Sequence, residues 1–393
     1  MSLNETPSAE RIHIGFFGRT NAGKSSVVNA VTNQNLAIVS DVSGTTTDPV
    51  KKTMELLPLG PVVIIDTPGF DDLSELGKLR MEKTKQVIDK CDIAVLVVDG
   101  TEGITKTDEE LIKIFTEKNI KYIIAYNKSD VKKSNGLNIS ARTGEGIEEL
   151  KEKIANLMPN KTERKIVGDL IDRKDVVVLV TPIDESAPKG RIILPQQQTI
   201  RDILDKGAIA VTTKETELEE TLKKISATPK IVICDSQVFK MVDEIVPKEI
   251  PLTSFSILMA RYKGYLDMAI SGIEKMKTLK DGDTVLIAEG CTHHRQCQDI
   301  GTVKIPMGLK KYTGKTLNIK AVSGTEFYND LSGVSFVIHC GGCMLNDKEI
   351  KSRMERCAAQ NVPVTNYGLV LAEFSGILKR SLAAIEKGEK YGQ

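Results

Sequence analysis

Gly18-Arg-Thr-Asn-Ala-Gly23-Lys24-Ser25 follows a short apolar run, Ile12 to Phe17, and precedes a helical spacing of apolar residues at Val27, Val28, Ala30 and Val31. Strand, G-x-x-x-x-G-K-[ST] loop and helix, in that order, form the context in which this motif binds phosphate. The glycines let backbone N–H groups turn toward an anion at a helix N-terminus, where the aligned peptide dipoles favour negative charge. Asn21, Ala22, Gly23, Lys24, Ser25 and Ser26 are the expected nucleotide contacts. Lys24 supplies charge to the β and γ groups, and Ser25 offers its hydroxyl to Mg2+.

Further motifs lie downstream in order. The strand pattern Val62 to Ile65 ends in Asp66-Thr67-Pro68-Gly69, where Asp66 can hold Mg2+ through water and the Gly69 N–H can meet a γ-phosphate. Ile93 to Val98 leads to Asp99, and Tyr122 to Tyr126 leads to Asn127-Lys128-Ser129-Asp130. A carboxylate at Asp130 can accept from the N1 and N2 protons of guanine, which adenine lacks, so the expected nucleotide is GTP or GDP. Ser140-Ala141 then suits a backbone contact to the guanine O6. Alternating strands and helices predict an α/β fold with a mostly parallel sheet and ligands at the carboxyl ends of its strands.

Between the phosphate loop and Asp66 lies a polar segment, Asp41-Val-Ser-Gly44-Thr45-Thr46-Thr47-Asp48. A threonine that ligates Mg2+ only while the γ-phosphate is present makes such a loop a nucleotide sensor, and Thr46 is the expected ligand. This part of the chain resembles GTPases of the Era and tRNA-modification type, in which Gly-Thr-Thr-x-Asp is the first switch. Their potassium-activated members carry an asparagine where Asn21 stands, so the resemblance implies K+ near the phosphates and potassium-stimulated hydrolysis. Lys24, Thr46, Asp66 and Gly69 are the expected catalytic set. Signalling GTPases place a water-orienting glutamine just after Asp-x-x-Gly; here Phe70, Asp71 and Asp72 follow. Glu75 reads as a solvated carboxylate at a helix start, and no catalytic base is assigned.

A chain of 393 residues exceeds one ordinary core, so two or three domains are expected. The polar run Asn160-Lys-Thr-Glu-Arg-Lys165 is the best linker. The expected division is a GTPase domain over 1–162, a small α/β dimerisation domain over 168–258 and a C-terminal α/β cluster domain over 259–393. A net charge of +1, from 54 basic and 53 acidic residues, gives no field to hold a polyanion, so no nucleic acid partner is expected. No apolar run approaches the roughly 18–20 residues of a membrane span, and the first residues lack the regions of a signal peptide. The expectation is a cytoplasmic protein without a membrane partner.

In the middle of the chain, 175–180, 208–211 and 230–234 read as strands and 199–204 as a helix, with no visible chemistry. That segment is the dimerisation candidate. Further on, 257–276 and 369–385 read as single amphipathic helices. Thr284 to Ala288 is a strand pattern that turns at Glu289-Gly290 into Cys291, and Val334 to Ile338 is another that ends in His339-Cys340-Gly-Gly-Cys343. If the two strands are parallel neighbours, the three thiols converge. Seven cysteines, an odd number, suit reduced thiols and metal ligands better than a disulfide framework. The Cys-x-x-Cys spacing is also that of a redox pair, a structural zinc knuckle or plain turn thiols, and from the residues alone zinc and iron–sulfur are both open.

The combination of an Era-like GTPase with Cys-Thr-His and His-Cys-Gly-Gly-Cys resembles the HydF family, the maturation GTPases of iron-iron hydrogenases, over the whole chain. The resemblance implies a homodimer and a 4Fe–4S cluster on Cys291, Cys340 and Cys343 with one iron position exchangeable. It implies a scaffold or carrier that receives a diiron subcluster precursor made with radical maturation enzymes and delivers it to apo iron-iron hydrogenase. His293 and His339 stand on the family's histidines; His294, Cys297 and Asp299 share the loop of Cys291, and any of these, or an exogenous group, could be the fourth ligand. Two rival readings are a zinc-stabilised Era-like GTPase of RNA or ribosome assembly, and an electron-transfer protein that uses GTP as a clock.

Overall fold

Every residue of Ile12–Phe17 is buried, so the chain forms a central strand, β1, despite His13 and Gly15. The computed structural model describes residues 6–33, 49–57, 59–69, 83–157, 164–183, 192–291, 299–324 and 326–386. They fall into two compact units, Met1–Lys161 and Thr162–Gln393.

In the first unit β1 is joined by β2 (Val50–Leu56), β3 (Gly60–Asp66), β4 (Ile93–Asp99), β5 (Lys121–Asn127) and β6 (Leu137–Asn138) in the order β2-β3-β1-β4-β5-β6. All pairings are parallel except that of β2 with β3. Helices α1 (Lys24–Thr32), α2 (Lys106–Glu117) and α3 (Ile147–Asn156) cover its faces. One apolar layer holds Val27, Val31, Leu150 and Ile154, and the other holds Phe17, Leu111 and Phe115. The predicted strands after which the nucleotide motifs fall are all present, so the motifs gather at one end of the sheet. The edge strand β2 escaped prediction because Val50, Lys51, Lys52 and Thr53 are exposed and carry no apolar alternation.

The second unit holds two parallel four-stranded sheets, and with the first unit gives three α/β layers of structure along the chain. One sheet runs β10-β9-β7-β8, from β7 (Val176–Val180), β8 (Ile209–Thr213), β9 (Ile231–Cys234) and β10 (Leu252–Ser254). Helices α4 (Leu194–Lys206), α5 (Leu218–Lys224) and α6 (Phe239–Ile245) belong to it. Asp202 on α4 accepts from three successive backbone N–H groups, Ile166, Val167 and Gly168, at 2.8–2.9 Å, fixing the start of the unit. Helix α7 (Phe255–Tyr262) touches both α4 and the helix Tyr367–Phe374, and both sheets share one hydrophobic core.

The other sheet runs β12-β11-β13-β14, from β11 (Thr284–Ala288), β12 (Asn318–Val322), β13 (Phe336–His339) and β14 (Val364–Asn366). Its helices are α8 (Leu266–Met276), α9 (Ile305–Thr313), α10 (Asp347–Ala359), α11 (Tyr367–Phe374) and α12 (Leu378–Glu386). The two long helices expected from periodicity are each broken: Gly264 and Gly376 adopt φ of 79° and 73°, a left-handed conformation open to glycine that ends a helix. The chain leaves β11 for β12 on one side and returns to β13 on the other. This reversal makes the carboxyl ends of β11 and β13 the place where an open α/β sheet forms its binding crevice.

Candidate functional site

The phosphate loop starts where β1 ends. Asn21 and Gly23 have φ of 63° and 87°, which turns successive N–H groups inward and starts α1 at Lys24. Lys24 is buried, its Nζ donating to the Arg19 carbonyl at 2.7 Å. Ser25 Oγ donates to Asp66 Oδ2 at 2.6 Å, so the two expected Mg2+ groups stand together. Burial pushes the Asp66 carboxyl up, against the opposing effects of Ser25 and Lys24. Its other oxygen, Oδ1, is buried without a hydrogen-bond partner, and such an orphan beside a serine hydroxyl fits a divalent cation. Gly69 presses on the phosphate loop so closely that a Cβ there would lie 2.7 Å from the Thr20 nitrogen.

At the base end, Asn127 joins three motifs. Its Nδ2 donates to the Ala22 carbonyl at 3.0 Å, and its Oδ1 accepts from the Ala141 N–H at 3.1 Å. Asp130 accepts from the buried Ser140 Oγ at 2.6 Å, the main cause of its lowered pKa, and pairs with Arg142. Lys128, with φ of 66°, reaches back to Asp99. Ser26 lies in the first turn of α1. Thr46, Phe70, Asp71, Asp72 and Glu75 lie outside the described residues.

The second site sits at the reversal in the C-terminal sheet. β11 and β13 are parallel neighbours, with Ala288 opposite His339, so Cys291 and Cys340 leave adjacent strand ends. Cys340 Sγ accepts from the Gly290 N–H at 3.0 Å and the Gly342 N–H at 3.4 Å. Burial raises the Cys340 thiol, while those N–H groups and Arg353 oppose the shift. Cys343 is pushed up to about 12, chiefly by burial, with Cys340 and Cys291 acting in the same direction. Among the described residues no three His, Cys, Asp or Glu side chains are drawn tightly enough together to hold a metal ion. The donor set nonetheless suits a cluster: thiols on adjacent strand ends, a glycine-rich turn, and backbone N–H groups already directed at sulfur.

Among the candidates for a fourth ligand, His339 is fully buried with both nitrogens engaged, Nδ1 to the Cys340 carbonyl at 2.7 Å and Nε2 to Arg353 at 3.2 Å. Burial, with Arg353 adding, depresses its pKa to about 3. Asp299 caps the helical turn Ile300–Lys304, Oδ2 accepting from the Thr302 N–H and Oγ1 at 2.8 Å each. His293, His294 and Cys297 lie outside the described residues. Cys234 and Cys357 are core thiols.

Several polar groups around the thiols have no motif to announce them. Tyr265 OH donates to the Cys340 carbonyl at 2.7 Å and accepts from Asn366 Nδ2 at 3.0 Å. Tyr367 OH donates to the buried Glu289 carboxylate at 3.2 Å. Lys263 is buried and donates to the Leu345 carbonyl at 2.9 Å and to Asp347 at 3.0 Å, beside Cys343. Among the described residues no helix is long and apolar enough to cross a membrane.

Comparison with known proteins divides along the same lines. A family described as 50S ribosome-binding GTPase matches residues 13–128. The tRNA modification GTPase MnmE of Thermoanaerobacter sp. (strain X514) is 34% identical over 43% of this chain and 38% of its own length. GTPase Der of Wolinella succinogenes is 30% identical over 41% of this chain and 38% of its own. The chain thus spans under two fifths of these relatives. A crystal structure of an Aquifex aeolicus Era variant aligns with 55% of this chain and 98% of its own at 18% identity, with a TM-score of 0.35. Beyond the GTPase domain, the hydrogen maturase F dimerization domain matches residues 166–264, and the hydrogen maturase F tetramerization domain matches 267–384. A GTPase domain followed in order by both hydrogen maturase F domains makes this chain a member of the hydrogen maturase F (HydF) family.

Proposed function

We propose that this maturation GTPase is a scaffold and carrier: it holds a 4Fe–4S cluster on Cys291, Cys340 and Cys343, and assembles or delivers the diiron subcluster precursor to apo iron-iron hydrogenase. The observation that carries this reading is the departure of Cys291 and Cys340 from adjacent parallel strand ends, with two backbone N–H groups on Cys340 Sγ. A cluster there would supply an iron with an exchangeable position for the cargo. The chain's own residues deliver thiolates and offset their charge with Lys263 and Arg353. His339 and Asp299 are engaged elsewhere, which favours an exogenous group or another residue of the Cys291 loop as the fourth ligand.

In the same reading Lys24, Thr46, Asp66 and Gly69 serve GTP hydrolysis, and Ser25 with Thr46 ligates Mg2+. Asn21 holds K+, and Asn127, Lys128, Asp130, Ser140 and Ala141 read guanine. The domains run 1–162, 168–258 and 259–393, the protein is a cytoplasmic homodimer at least, and its partners include the radical enzymes that build the precursor.

Anaerobic reconstitution with iron and sulfide, followed by metal analysis and EPR of wild type and of Cys291→Ser, Cys340→Ser and Cys343→Ser, tests the cluster. A stable one-zinc protein without a cluster signal would sink it. Replacing K+ by Na+ in the GTPase assay tests Asn21, whose role is lost if the rate does not change.

A further inference from the structure

Among the described residues Arg353 is the bulkiest side chain buried below 2% exposure, and the cluster reading does not need it as a ligand. From α10 its Nη2 donates to Glu349 Oε1 and to the Gly324 carbonyl, both at 2.7 Å, and its guanidinium lies 5.2 Å from the Phe327 ring centroid. Its Nη1 contacts His339 Nε2 at 3.2 Å. A guanidinium can only donate, so Nε2 accepts and the ring proton resides on Nδ1. Nδ1–H in turn donates to the Cys340 carbonyl, which Tyr265 OH also approaches at 2.7 Å.

That carbonyl begins the Cys340-Gly341-Gly342-Cys343 turn. Two glycines, Gly342 at φ of 68°, give the turn no side chains of its own to hold it. The orientation of its first peptide is therefore left to outside donors, and His339 is a donor there only in the Nδ1–H form. A buried ion pair is a poor device for stability alone, since apolar side chains of like volume often serve as well. Partners that fix a neighbouring imidazole and its tautomer are, by contrast, a recurrent way of orienting the groups that surround a metal.

We propose that Arg353 is a positioning residue for the thiol site. It locks His339 in one tautomer, which sets the Cys340 carbonyl and so the turn that presents Cys340 and Cys343, and its charge offsets that of the thiolates. The effect on a redox potential rests on the cluster reading above; the tautomer effect rests on the hydrogen bonds alone.

The test uses the full chain. In metal-free protein labelled with 15N-histidine, wild type is expected to show His339 as a single Nδ1–H form. Arg353→Lys keeps the charge but loses the planar fork that reaches His339, Glu349 and Gly324 together, and is expected to show tautomer exchange at His339 with a lowered melting temperature. After reconstitution, Arg353→Met is expected to make the cluster harder to reduce by about tenfold, or ~59 mV for one electron, with Arg353→Lys close to wild type. An unaltered His339 tautomer in Arg353→Lys overturns the proposal, as does an unmoved midpoint in Arg353→Met. If Arg353→Met does not fold, the lysine variant decides through the tautomer. If wild type takes up no cluster, the carrier reading falls, and the metal-free spectra still decide this one.

Discussion

Gly272 lies in the middle of α8, where alanine is the better helix former by about 1 kcal/mol. Packing argues the other way. A Cβ at 272 would stand 2.0 Å from the Val364 carbonyl oxygen and 2.6 Å from its carbon, both backbone atoms of β14. Ordinary contact begins at 3.4 Å, so the helix would have to move by roughly 1.4 Å (3.4 − 2.0) away from the strand that leads into Asn366 and Tyr367. Overpacking of this kind costs about 1–3 kcal/mol, and a rigid backbone neighbour places the cost at the upper end. Set against the gain in propensity, Gly272→Ala is expected to destabilise the second unit by about 2 kcal/mol. For a unit of this size that is a fall of roughly 4–8 °C in its melting temperature. Differential scanning calorimetry of the full chain, with GTP hydrolysis as the control for the first unit, measures it. A melting temperature at or above wild type would refute the reasoning, because propensity would then outweigh the clash.

Asp202→Ala removes the acceptor of three N–H groups and is expected to cost about 3 kcal/mol, with faster hydrogen exchange at 166–168; protection unchanged there would count against the role. Asp130→Asn is expected to weaken GDP binding roughly ten- to hundredfold in calorimetric titration, and equal affinity would remove the guanine assignment. The metal-free chain should lose stability at both pH extremes. His339, with its pKa depressed to about 3, favours the folded state above its unfolded value of 6.5, and this contribution drains away as pH falls from 6.5 through 3. Cys343, raised from 9.0 to about 12, binds its proton more tightly when folded, so stability falls as pH rises from 9 toward 12. Urea midpoints across pH, with His339→Asn and Cys343→Ala as references, check both; a profile that neither variant flattens would contradict the assignments.

The nucleotide end was legible because its motifs are local. Gly18 to Ser25 needs only a strand before it and a helix after it, and Asn127 to Asp130 only the strand that ends there. The two thiol-bearing strands were legible for a related reason: β11 and β13 are buried and almost wholly apolar. Their being neighbours does not follow from the sequence and is seen in the parallel register of Ala288 with His339. The edge strand β12 carried no such signal, since Asn318 to Ala321 are exposed. Gly264 and Gly376 ended helices whose apolar spacing continues past them, a break visible only in their positive φ. Arg353, Tyr265 and Lys263 were beyond reach of sequence reasoning because each meets the thiol turn from a distant element, through a backbone carbonyl or an imidazole rather than a motif.

The reversal of the chain between β12 and β13 has a further bearing on exchange. Neighbouring strands stand about 4.8 Å apart because their backbones are hydrogen-bonded, whatever side chains they carry. The strand ends that lead into Cys291 and Cys340, at Ala288 and His339, thus form a jaw that cannot widen without tearing the sheet. Substitutions can remodel the rim, in the loops and glycines beyond the strand ends, while the grip beneath keeps its gauge. Any ligand that leaves this site must be let go by the rim, because the jaw itself has no hinge.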